Sequence, residues 1–268
     1  MRKSLAFVLA LCLLFVLAAC AVPQEKEPAT DEPTLPEATA EHAAPFDIAA
    51  YKAALSGWAE ADPVTHVVNP APHIADAFQP LKDYEGILPD EAVLAFSHFL
   101  DRASDGLPNY EAEKHPFLTL YGHSYFSDPD YPAVIKALEG KLSSGAALWL
   151  VLKMQAYGWE ADIYEPDTDE GEMRLLIPFE HLLHLAKAWH TFELEYPEIA
   201  ASEYAGYYGN NSAGWVDRCL DSGDDYGLSA EGKRLYAARQ KAYMEEFLGN
   251  ETNRKYTFYE DIYQFIHQ

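Results

Sequence analysis

Leu182, Leu185, Trp189, Phe192 and Tyr196 recur three and four residues apart, the spacing of one side of an α-helix, and predict a helix over 178–196. Helical periodicity also predicts amphipathic helices over 46–60 and 89–104. Pro89 falls at a favoured first-turn position of the second, with Asp90 and Glu91 at its positive end. Between them, the Pro- and His-containing stretch that starts near Asp62 is read as irregular. Segments 130–142 and 143–157 form a helix pair, and the unbroken apolar run Ala146-Ala147-Leu148-Trp149-Leu150-Val151-Leu152 marks the second as the central core helix. The period then shortens. Residues 159–165 and 172–179 are β-prone runs flanking Pro166-Asp167-Thr168-Asp169-Glu170-Gly171, a hairpin signal. Further helices are predicted at 197–208, 213–221, 229–248 and 257–266, with Ser229 as a cap. The expected fold is mainly α: packed helix hairpins with one small β-hairpin at about 159–179.

Upstream of 46 the pattern changes twice. Ala21–Pro45 holds five prolines, six acids and no aromatic residue, so it cannot bury enough apolar surface to offset its ordering entropy and is expected to be a disordered tether over 20–45. As a coil it would span roughly 28 Å, and extended by its prolines up to about 78 Å. Before it, Arg2 and Lys3 precede an apolar run from Leu5 to Ala19, the order of a signal peptide over 1–19. A spanning helix needs about 20 apolar residues, so this run is too short. Leu17-Ala18-Ala19-Cys20 resembles the lipobox of bacterial lipoproteins. The resemblance covers Met1–Ala21 and implies cleavage before Cys20, acyl chains on that cysteine, and a mature protein lipid-anchored at the extracytoplasmic face of the cell membrane. An ordinary signal peptide or an uncleaved anchor with a chance cysteine is the competing reading.

Charge narrows the partners. The chain carries a net charge of −24, and −26 once residues 1–19, which hold Arg2 and Lys3 and no acid, are removed. So acidic a surface repels phosphate, which argues against nucleic acid and anionic lipid and leaves cations, neutral glycans, peptides and basic proteins. Of the three cysteines, Cys12 lies in the signal, Cys20 is the lipidation site, and Cys219 has no intramolecular mate. It is read as a small buried apolar residue, with a reactive thiol as the alternative. No cofactor motif is legible.

Trp189…Phe192…Tyr196, followed by Tyr204 and Tyr207, is loosely echoed by Tyr243…Phe247…Asn250, followed by Tyr256 and Tyr259. This resembles the helix-hairpin grammar of tetratricopeptide-like repeats, although only two units are visible and the repeat's full pattern is absent.

Four constellations bear on chemistry. His181 and His184 lie about 60° apart on their helix while His190 lies about 180° from His181, so a metal there needs Glu180 or a distant ligand. A buried helix, then a hairpin, then histidines resembles the order in transglutaminase-like and papain-like proteins. Where those place a nucleophilic cysteine this chain has Ser143-Ser144-Gly145, which leaves Ser144, with His181 or His184, as the hydrolase candidate, or as a helix cap. Asp167 and Asp169, or Asp221 with Asp224 and Asp225, offer oxygen ligands for calcium without the spacing of an EF-hand; solvated turns are the alternative. Tyr204, Tyr207, Tyr208 and Trp215 surround Gly209-Asn210-Asn211, a set that could stack on sugars or grip a peptide, or pack helices together. The role expected from this balance is a binding or scaffolding module for a protein, peptide or glycan. The alternative is a serine- or metal-dependent hydrolase of the cell envelope.

Overall fold

The structure is a computed structural model. It describes residues 44–60, 69–105, 107, 109–112, 114–120, 127–156, 164–166, 173–175, 179–204, 209–223 and 228–267. The chain divides into two units, Met1–His42 and Ala43–Gln268, and all described residues lie in the second. The signal, Cys20 and nearly all of the tether fall outside them.

The fold is mainly α. Its helices are α1 (Ile48–Trp58), α2 (Ile74–Asp83), α3 (Asp90–Ser104), α4 (Asn109–Ala112), α5 (Tyr131–Ala137), α6 (Ser144–Ala156), α7 (Phe179–Glu195), α8 (Pro197–Ala200), α9 (Ser212–Cys219), α10 (Ala230–Gly249) and α11 (Tyr259–His267). Short 3₁₀ turns at Ala71–His73 and Glu251–Lys255 precede α2 and α11. The expected hairpin is present as β3 (Tyr164–Pro166) and β4 (Met173–Leu175), antiparallel with Glu165 opposite Arg174. A second two-residue ladder pairs β1 (Leu118–Thr119) with β2 (Asp128–Pro129).

Side chains cap these helices where the sequence places suitable residues. Asp47, Asp130, Asn211 and Ser229 accept from the backbone N–H three residues on at the starts of α1, α5, α9 and α10. At the start of α6 the cap is Ser143, whose Oγ accepts from Ala146 N at 3.0 Å and donates to Asp90.

Two corrections concern helix extent. The stretch from Asp62 read as irregular contains α2, whose buried Ile74, Ala77, Phe78 and Leu81 form a regular apolar stripe. Pro80 sits inside that helix but at an exposed position, away from the buried stripe, so its missing N–H and its ring are not set against the core. The helix expected over 197–208 is one turn, α8, followed by turns to Tyr204; residues 205–208 lie outside the described set.

α6 is the spine expected from its apolar run, packing on α3 and α5 on one side and on α7 on the other. α6 and α7 run antiparallel: Gly145 lies against Tyr196 and Ile199, Trp149 against Trp189, and the Gln155 carbonyl against His181. A Cβ on Gly145 would come 2.5 Å from Ile199 Cδ1 and 2.8 Å from Tyr196 Cδ1, so this glycine permits the close approach. α10 runs beside α7 in the same direction, because Phe179 meets Tyr236 and Tyr243 while Lys187, two turns on, meets Phe247. α10 reads as polar all round, yet Tyr236, Gln240, Met244 and Phe247 bury one narrow stripe. Gln240 belongs there because its Nε2 donates to the carbonyls of Cys219 and Asp221, closing the end of α9. Among the described residues no helix is long and apolar enough to cross a membrane.

Cys219 is fully buried beneath these elements, and burial pushes its thiol up to about 12. The thiolate is the reactive species. Iodoacetamide is therefore expected to leave Cys219 unmodified in the native chain and to modify it once the chain is denatured, as read by mass mapping of the Cys219 peptide.

Candidate functional site

The structure separates the residues of the hydrolase reading. Ser144 is exposed in the first turn of α6. His181 Nε2 lies 3.1 Å from the carbonyl of Gln155, near the other end of the same helix. Eleven residues of helix separate those positions by roughly 16 Å, so Ser144 and His181 form no nucleophile–base pair. His190 is buried on the side of α7 away from His181, where its Nε2 accepts from Thr257 N at 3.3 Å and its ring meets Tyr256 and Phe258 edge-on. Among the described residues no three His, Cys, Asp or Glu side chains converge for a metal. Asp167 and Asp169 lie outside the described residues, as do Asp224 and Asp225. Asp221 is occupied by its own turn, with Oδ1 accepting from Gly223 N and its carbonyl accepting from Tyr236 Oη and Gln240.

Two members of the aromatic set are described, and both are buried: Trp215 is 1 % exposed and Tyr204 7 %. Trp215 Nε1 donates to the carbonyl of Gly209, whose φ is 83° and where an added Cβ would come 3.1 Å from the indole Cζ2. Asn210 Nδ2 donates to the Tyr204 carbonyl, and Glu193 takes both the N–H and the hydroxyl of Ser212 at 2.6 Å. The Gly209-Asn210-Asn211 loop thus locks α9 onto α7. Neither Tyr204 nor Trp215 presents a ring face for stacking; Tyr207 and Tyr208 lie outside the described residues.

Two concavities among the described residues gather polar side chains. The smaller, of about 680 Å³, lies where α1, α3 and α8 meet and is lined by Asp90, Glu91, Glu195, Glu198 and Glu203 around Lys52. Lys52 bridges Glu91, at 2.8 Å, and Glu203 across the helices. These two carboxylates hold its ammonium pKa well above the ordinary lysine range. Lys52 thus pairs with two of these five carboxylates, Glu91 and Glu203.

The larger is a groove of about 1110 Å³ between α7 and α10. α7 supplies Glu180, Leu183, His184 and Lys187, positions one or two turns apart on one face, with His181 at the edge. α10 supplies Arg239, Tyr243, Glu246 and Phe247, and the turn after it Glu251 and Asn253. Leu183 and Phe247 are buried and form the floor, Lys187 and Tyr243 are half-buried, and Glu180, Arg239, Glu246 and Glu251 are exposed at the rim. Arg239 lies over the Tyr243 ring at 5.9 Å, and Lys187 over Phe247 at 5.1 Å. Partial burial, with His181 and Lys187 beside it, lowers the His184 pKa below the ordinary histidine value, although the side chain is exposed at the rim. Burial and Lys255 lower that of Lys187.

His181 and His184 therefore meet other polar groups in a concavity, Glu180, Lys187, Arg239 and Tyr243; the sequence named Glu180 beside them and Tyr243 only in the repeat echo, and neither Lys187 nor Arg239. A signal was available in α7, where Glu180, Leu183, His184 and Lys187 share the i, i+3, i+4, i+7 spacing. For Arg239 and Tyr243 there was none, since nothing local to α10 says which of its faces meets α7. The groove can offer an anion a charge-assisted hydrogen bond, an imidazole and an aromatic wall. No protein-family model, curated protein or solved structure matches the chain.

Proposed function

We propose that this chain is an extracytoplasmic binding module, lipid-anchored through Cys20, whose protein, peptide or glycan ligand lies in the groove between α7 and α10. The observation that carries the reading is the convergence of His184, Lys187, Arg239 and Tyr243 on one groove over an apolar floor. Ligand sites are concave, largely apolar and furnished with a few convergent polar groups. The lipobox resemblance supports the membrane address, and the acidic Pro-rich segment supports a spacer that lifts the module off the headgroups. Neither Ser144 with His181 nor a three-ligand metal cluster among the described residues favours hydrolysis.

The test has two arms. The Cys20→Ser chain is expected to leave the membrane fraction; if it stays there with its signal cleaved, the anchor reading is wrong. In a thermal-shift screen of the full chain against peptides, cell-wall glycans, calcium, zinc and EDTA, a peptide or glycan should raise the unfolding midpoint. A ligand of the native state at 100 times its Kd stabilises by about 2.7 kcal/mol. Stability lost in EDTA, with no response to peptide or glycan, would overturn the binding-module reading in favour of a metal site.

A further inference from the structure

The groove holds a half-buried ammonium, Lys187, that has no ion pair among the described residues, Glu246 acting on it only from beyond ion-pair distance. Lys187 Nζ lies over the rings of Phe247 and Tyr256, at 5.1 and 5.9 Å. Among the described residues it has no carboxylate within ion-pair distance and no hydrogen-bond acceptor. Burying a charge is costly unless it is paired. In a chain with 43 acids against 19 bases partners are plentiful, and Lys52, Lys114, Lys153, Arg234 and Lys241 all pair with them. Nor is Lys187 needed to close the C-terminal end of α10, where Asn253 Nδ2 donates to the Phe247 carbonyl at 2.8 Å and Tyr259 Oη to the Leu248 carbonyl at 3.1 Å. Lys255 and Glu246 both act on the Lys187 ammonium, the first lowering its pKa and the second raising it.

The rim limits what anion fits. Glu180, Glu246 and Glu251 are exposed around the opening, and their repulsion disfavours polyanions such as nucleic acid or phosphate-rich polymers. A ligand with a single anionic end, an apolar body, and N–H or cationic groups to meet the rim fits all three features. We infer that the groove takes the free C-terminal carboxylate of a short peptide, with Lys187 as its counter-ion and Leu183, Tyr243 and Phe247 against its side chains. This rests on the groove being the ligand site.

The probes are pools of pentapeptides lacking Asp and Glu, prepared as free acids and as C-terminal amides, with inorganic phosphate as a third arm, each titrated against the full chain. The free-acid pool is expected to bind at least tenfold more tightly than the amide pool. Lys187→Met should weaken free-acid binding about 10- to 100-fold, the range for loss of a charged hydrogen bond. Lys187→Arg should restore most of it, and Glu246→Gln should leave it unchanged or tighten it. Native circular dichroism and an unchanged unfolding midpoint of the Lys187→Met chain without ligand would show that the loss is not one of folding; if that chain fails to fold, the acid-versus-amide comparison on the unsubstituted chain decides. Equal binding of acid and amide, unchanged binding by a folded Lys187→Met chain, or binding of phosphate alone would overturn the inference. A glycan shift that survives Lys187→Met would overturn it while leaving the binding-module reading standing, whereas no response to any probe sinks both.

Discussion

Trp189→Ala is expected to destabilise the chain by about 3–5 kcal/mol, the range for truncating a buried tryptophan. Trp189 is fully buried on α7, edge-on to Trp149 of α6 at 5.3 Å and to Phe192 at 5.6 Å. The side chain fills the contact between α6 and α7, and α7 in turn holds α9 and α10. The backbone of two packed helices cannot collapse into the space, so the cavity term adds to the lost transfer energy. For a domain of this size the melting temperature should fall by roughly 2–4 °C per kcal/mol. Trp189→Phe, which leaves a ring in place, should cost less. Leu194→Ala on the same helix, at a side chain 70 % exposed, should stay within about 0.5 kcal/mol. Similar losses for Trp189→Ala and Leu194→Ala in urea unfolding would show that the α6–α7 contact is not the centre of the core.

Asp101→Leu is expected to cost about 3 kcal/mol, at the low end of the range for breaking a buried ion pair, because Asp101 keeps 20 % of its side chain exposed. Lys153 of α6 is 5 % exposed, and its ammonium donates to Asp101 Oδ2 of α3 at 2.6 Å; Tyr131 Oη of α5 donates to Oδ1 at 2.6 Å. Behind them Trp149 Nε1 donates to Ser97 Oγ, which donates to the Leu94 carbonyl. One carboxylate thus joins three helices. Removing it takes from a buried ammonium its carboxylate at 2.6 Å, so the cost is mainly that of a poorly compensated charge. Adding Lys153→Met should return much of the stability, since an apolar pair of similar volume is often as stable as the ion pair it replaces. If the double variant unfolds at the same urea concentration as Asp101→Leu alone, the poorly compensated charge is not the cause.

The helices were legible where their apolar stripes were uninterrupted and their caps local. α3 and α7 follow from spacing and α6 from its unbroken apolar run, and for α10 the Ser229 cap was visible as a serine before a helical run. The hairpin at 164–175 was legible from a change of period around a turn-rich segment. α2 was hidden by Pro80, because whether an internal proline is tolerated depends on which face meets solvent. The cap of α6 was legible as a serine, but the choice of Ser143 over Ser144 needed the backbone. Trp215 and Tyr204, suggestive as a cluster in the sequence, are consumed in packing.

Local chemistry of the chain therefore carries the helical class, the small hairpin and the expectation of a lipidated, tethered N-terminus, because periodicity, turn residues and a short cleavage signal each act over a few neighbouring positions. Packing alone sets the rest. It places Ser144 and His181 at opposite ends of α6, buries Lys153 against Asp101 fifty-two residues away, and brings Lys187 and Arg239 to one groove with Glu180, Glu246 and Glu251 at its rim. Each of these depends on which faces of distant helices meet and at what register, and the free energy that decides it is spread over the whole core.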